Sequence, residues 1–124
     1  MRKRLLILAT GLWGFLLPAI ITADEPWGEI KAEPNPCRIE PGKRECTSHI
    51  TWRTRGVEKA KVWVTSKGRK ETKAHDFGDS LSCESERCRA PWITADTKFI
   101  FQLWEFHGNV RGRLLSSVEV TGEK

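Results

Sequence analysis

The sequence lacks the constellations on which enzyme chemistry usually rests. His49, His75 and His107 lie far apart, so no two imidazoles stand at a metal-binding spacing, and no glutamate sits between two of them. There is no Gly-x-Ser-x-Gly elbow to hold a nucleophilic serine and no glycine-rich loop to cradle phosphate. The carboxylates are spread along polar stretches, and none lies in the apolar context that general-acid catalysis uses. His75-Asp76 is a single neighbouring acid–imidazole pair in a polar stretch, more often a surface coincidence than a dyad. These absences point away from an enzyme, and they leave no residue set for a cofactor or a metal. Internal repeats and low-complexity tracts are missing too.

A surplus of one charge is also missing once the first residues are set aside. Arg2, Lys3 and Arg4 precede an apolar run from Leu5 to Ile21, and Ile21-Thr22-Ala23 offers a small residue at a cleavage position. Asp24-Glu25-Pro26 cannot continue a buried helix. Residues 1–23 therefore read as a signal peptide, with a domain over 24–124. The alternative is an uncleaved membrane anchor, although the run barely spans a bilayer and Gly11, Gly14 and Pro18 weaken a spanning helix. No span is expected in the mature form. Removing three of the 21 basic residues leaves 18 against 16 acidic ones, a formal charge of +2 in place of +5. So balanced a chain does not carry the electrostatic footprint of a nucleic-acid binder.

What is present is an even set of cysteines: Cys37, Cys46, Cys83 and Cys88. In a short exported chain this implies disulfides, because that compartment lets them persist. Localisation is accordingly expected to be periplasmic or secreted. Of three possible pairings, Cys37–Cys46 with Cys83–Cys88 is favoured, since each pair brackets a short loop. A four-cysteine zinc site is the competing reading. Its paired cysteines favour about two to four intervening residues. Here the gaps are eight and four, a poor fit.

Period-two alternation and turn residues dominate the rest. Glu29-Ile30-Lys31-Ala32-Glu33 alternates until Pro34-Asn35-Pro36, where proline cannot donate to a ladder. Cys46 to Trp52 places Ile50 and Trp52 on one face, and Ala60 to Thr65 does the same for Val62 and Val64. Ser66 to Ser80 reads as a charged loop with a short edge strand at Glu71–Phe77. Ala90-Pro91-Trp92-Ile93 is expected to tuck apolar side chains under a sheet edge. Thr97 to Phe106 aligns Phe99, Phe101 and Leu103, and Leu114 to Thr121 aligns Leu114, Val118 and Val120. The expected core is thus Ile50, Trp52, Val62, Val64, Phe99, Phe101, Leu103, Val118 and Val120. About seven short strands without a convincing helix predict an all-β, antiparallel sandwich.

Several of these residues carry a resemblance. Ile50-Thr51-Trp52, the following Val62-Trp63-Val64, the aromatic-rich sixth strand and Val118-Glu119-Val120-Thr121-Gly122 resemble the immunoglobulin-like and fibronectin type III-like sandwiches of exported bacterial proteins. Pro34-Asn35-Pro36-Cys37-Arg38-Ile39, with Gly42 and Cys46, is similar to modules with a cysteine-linked first hairpin. The resemblance implies a seven-stranded sandwich in which Trp52 is the core tryptophan of the second strand. Two departures argue against an antibody-like member: Thr97–Phe106 has no cysteine, and the chain has no tyrosine for a tyrosine corner. Such sandwiches host many unrelated roles.

In a sandwich of that kind the third, sixth and seventh strands are neighbours. If Val62 and Val64 face inward, Lys61, Trp63 and Thr65 face out. Likewise Ile100, Gln102, Trp104 and Phe106 face out, with Arg113, Leu115, Ser117 and Glu119 on the last strand. Trp63, Ile100, Trp104 and Leu115 then form a candidate binding face for an envelope or extracellular protein, or for a glycan stacking on the tryptophans. The bland alternative is that the Trp27 segment, the Ser66–Ser80 loop or long basic side chains cover this face. Lys67, Arg69, Lys70 and Lys73 form a second, basic candidate for acidic glycans or anionic envelope surfaces, more often simply a solvated loop.

Overall fold

The structure is a computed structural model that describes residues 25–68 and 72–124. The expected signal peptide, residues 1–23, lies outside the described residues, as do Arg69 and Lys70 of the basic cluster. Among the described residues there is no helix, and none is long and apolar enough to cross a membrane.

Among the described residues nine strands follow one another: β1 (Trp27–Glu33), β2 (Cys37–Arg38), β3 (Cys46–Arg55), β4 (Lys59–Gly68), β5 (Thr72–Gly78), β6 (Arg89–Ile93), β7 (Thr97–His107), β8 (Val110–Val120) and β9 (Gly122–Glu123). They form a three-stranded antiparallel sheet β1-β3-β6, a four-stranded antiparallel sheet β5-β4-β7-β8, and a two-residue parallel pair β2-β9. The all-β, antiparallel expectation matches the two main sheets. Nine strands replace the expected seven, and β2-β9 adds a parallel contact that the alternation does not reveal.

One core joins the two sheets. Ile30, Ile50, Trp52, Ala90 and Ile93 of the smaller sheet cluster with Val62, Val64, Phe101, Leu103 and Val120 of the larger. Phe99 and Val118, expected inside, are half-buried and pack against this cluster. The period-two pattern is the cause: in β3 and β4 every second side chain is buried, as a sheet with one wet face requires. Each such Val, Ile, Leu or Phe contributes about 1.5–3 kcal/mol on burial. Trp52 is 4% exposed and donates its indole N–H to the Ser80 carbonyl at 2.9 Å, so its one polar atom is satisfied.

Both favoured disulfides, Cys37–Cys46 and Cys83–Cys88, are present and fit an oxidising compartment. The second closes a loop that hydrogen-bonds along β3, with Trp52 N to Cys83 O at 3.0 Å and Ile50 N to Cys88 O at 2.8 Å. That loop feeds straight into β6. Residues 90–93 are therefore part of a strand of the smaller sheet rather than a tucked segment, and Pro91 is tolerated because β6 is an edge.

One expectation is overturned. Leu115 does not face out with Trp63 and Trp104; it packs against the core, while Leu114 is 45% exposed. The register explains it. Leu103 pairs with Ser116 but Trp104 pairs with Leu114, so Leu115 is the extra residue of a bulge. A slip of one residue exchanges the two faces. Gly28 of β1 lies directly against this inward side chain: a β-carbon there would stand 2.9 Å from the Leu115 β-carbon.

Candidate functional site

The β4–β7 ladder runs without interruption from Lys59↔Phe106 to Gly68↔Thr97. Residues directly opposite each other share a face, so burial of Val62, Val64, Phe101 and Leu103 sends Lys61, Trp63, Thr65, Ile100, Gln102, Trp104 and Phe106 to the outward side. Trp63, Ile100 and Trp104 are thus brought together as the alternation requires. Leu114, opposite Trp104, takes the place expected for Leu115.

At the centre three rings touch. Trp63 lies 6.0 Å from Trp104, tilted by 48°, and 5.8 Å from Phe106, nearly edge-on at 68°. Phe106 is only 4% exposed although it faces outward, because Trp63 packs on it and Lys61 Nζ stands 5.0 Å above its ring. Arg111 spans the cluster: its guanidinium carbon is 4.4 Å from the Trp104 ring centre and 5.2 Å from that of Trp63. Such cation–π contacts contribute about 0.5–1 kcal/mol at exposed sites and more once desolvated. The Trp104 indole N–H donates to the Gln102 side-chain oxygen at 3.4 Å. Both tryptophans are half-buried rather than bare.

A basic side chain therefore covers part of the face. Trp27 does not: it sits at the start of β1 in the other sheet, beneath Arg53 and Arg55 at 5.7 and 4.6 Å. Phe106, which the alternation sends outward without naming it in the candidate face, joins the cluster, and so does Arg111, which the alternation did not reach. Arg111 was hidden because β8 begins at Val110, four residues before the expected start.

Elsewhere the potential chemistry stays scattered. His49 meets Glu86 at 3.2 Å, and His107 stands between Glu58 at 3.7 Å and Glu105 at 3.4 Å. His75 is exposed on β5. Among the described residues no three histidine, cysteine or acidic side chains are placed to hold a metal ion. Lys67 and Lys73 of the basic cluster are exposed. A cleft of about 270 Å³ between Val64, Trp92 and Phe99, with Glu45 and His75 among its lining residues, is half open to solvent. It falls just below the roughly 300 Å³ at which ligand pockets begin.

No family model matches the chain, and no curated protein or solved structure matches it.

Proposed function

We propose that this chain is an exported, non-enzymatic module of the immunoglobulin-like and fibronectin type III-like kind, which binds a protein partner in the cell envelope or outside the cell. The binding surface is the outward face of the four-stranded sheet. The observation that carries this reading is the contact cluster of Trp63, Trp104 and Phe106 under Arg111 and Lys61, with Ile100 and Leu114 beside it. Tryptophan and arginine dominate the energetic centres of protein interfaces, where a partner desolvates contacts that water weakens. Adjacency of β4, β7 and β8 in one sheet supports the kinship, since such sandwiches place their third, sixth and seventh strands together. The disulfides support export.

A glycan is the weaker reading. Stacking on sugar needs a free, flat ring face, whereas these rings are tilted against one another and Arg111 lies over Trp104. A photo-crosslinking side chain at Ile100 should trap a protein of defined mass from envelope material, and the adduct should vanish in Trp104→Arg. The same group at Thr51, on the opposite sheet, should trap nothing. Equal trapping at both positions, or a tryptophan fluorescence change on titration with neutral polysaccharides, would overturn the proposal.

A further inference from the structure

Residues 24–124 carry 18 basic against 16 acidic residues, yet the outward face of the larger sheet gathers mostly cations. On the smaller sheet Glu29 meets Arg53 at 3.2 Å and Lys31 at 3.9 Å, His49 meets Glu86, and Arg55 lies over the Trp27 ring. Among the described residues, the larger sheet's ladder pairs place Lys59, Lys61, Lys67, Lys98 and Arg111 outward, against Asp76 and Glu119. On this sheet Lys98 pairs with Glu119 at 3.7 Å, and at the end of β7 His107 lies between Glu58 and Glu105. Lys61 and Arg111 instead rest on aromatic rings, and Lys59 is exposed.

Clustered cations repel one another, and a ring face compensates them only in part. A surface built this way gains most from a partner that supplies carboxylates to the cations and apolar groups to the rings. We infer that the face recognises an acidic protein segment, rich in Asp and Glu with an apolar side chain among them, and that Arg111 and Lys61 are its charge-reading residues. This rests on the protein-binding reading above and gives its partner a chemistry. An acidic polysaccharide fits less well, because the rings offer no flat platform. An anionic bilayer fits less well, because Trp63 and Trp104 are half-buried and do not protrude for insertion. Between exposed charges such recognition acts over about one Debye length, roughly 8 Å at physiological salt.

The test uses the full-length chain with poly-L-glutamate as probe, followed by tryptophan fluorescence. Binding is expected at low salt, weakening about tenfold or more on moving to physiological ionic strength, because screening removes the long-range attraction. Lys59→Glu, an exposed site remote from the core, and Lys61→Glu should each reduce affinity about tenfold, since like charges across an interface repel. Lys43→Glu with Lys124→Glu, away from this face, should leave it unchanged. Circular dichroism confirms that each variant is folded. Absence of poly-L-glutamate binding, equal loss in the Lys43/Lys124 variant, or tighter binding to polygalacturonate or phosphatidylglycerol vesicles would each overturn the inference. If crosslinking at Ile100 still depends on Trp104 while poly-L-glutamate fails, the acidic chemistry alone is wrong. If both fail, the face itself is misread.

Discussion

Replacing Gly78 by alanine tests how tightly the core tryptophan is held. A β-carbon at this position would stand 2.5 Å from Trp52 Cη2 and 2.8 Å from Cζ2, closer than carbon atoms approach. The ring cannot swing aside cheaply. It is buried, anchored by its N–H on the Ser80 carbonyl, and blocked by Phe77 at 6.1 Å between ring centres. Overpacking of this kind costs about 1–3 kcal/mol. Phenylalanine at position 52 lacks the two clashing carbons, but it gives up the Ser80 hydrogen bond and some buried area, about 2 kcal/mol together. In that background the alanine methyl has room, so Gly78→Ala should cost little or even recover stability. The double-mutant cycle should therefore show a coupling of about 2 kcal/mol between the sites. Urea unfolding of the four proteins measures it, provided the slope is constant across them. In a domain of this size Gly78→Ala alone should lower Tm by roughly 4–8 °C per kcal/mol. Additive costs across the cycle, or a Gly78→Ala protein that melts with the parent, would refute the packing described.

Three further outcomes follow from the structure. Leu114→Lys should change stability by no more than about 0.5 kcal/mol, whereas Leu115→Lys should cost roughly 2 kcal/mol or more by forcing a charge into the core; equal effects in urea titration would mean the bulge is misplaced. Reducing the disulfides should lower stability by about 2–3 kcal/mol for each loop released, seen as a drop in Tm on adding reductant, and a non-reducing peptide map should join Cys37 only to Cys46. Glu105 is 3% exposed, and its carboxylate accepts the Arg113 N–H at 3.4 Å. Glu105→Ala should therefore cost about 1–3 kcal/mol and Glu105→Gln clearly less, because the amide oxygen still accepts; identical denaturation midpoints would count against it.

Much of the fold is legible along the chain because β3 and β4 bury alternate residues over most of their length and β7 does so from Phe101 to Glu105. Ile50, Trp52, Val62, Val64, Phe101 and Leu103 can be placed inside from their period alone. The same period brings Trp63, Ile100 and Trp104 onto one face. Leu115 escaped because a bulge is a property of two strands, and one strand's pattern carries no trace of its partner's register. Gly112 lies inside β8, where an added β-carbon would stand 3.0 Å from a Glu105 carboxylate oxygen, and the longer strand carried Arg111 into the site. Pro91 made β6 look irregular, since a proline in a strand is tolerated only where no ladder partner needs its nitrogen. The cations gathered on the larger sheet's outward face are invisible in composition: they come together only once each lysine is assigned a side, and that assignment depends on pairing.

The small β2-β9 contact determines how the domain would carry mechanical load. Cys37 N donates to Thr121 O at 3.1 Å and Ile39 N to Glu123 O at 2.8 Å, between strands that run in the same direction. Tension drawn along the backbone beyond Glu123 acts on these two bonds in shear, so they must yield together rather than unzip in turn. Behind them stands the covalent link from Cys37 to Cys46, which passes the pull into β3 at the heart of the smaller sheet. A tether attached at this end would thus tug on the central strand of the smaller sheet instead of peeling its rim.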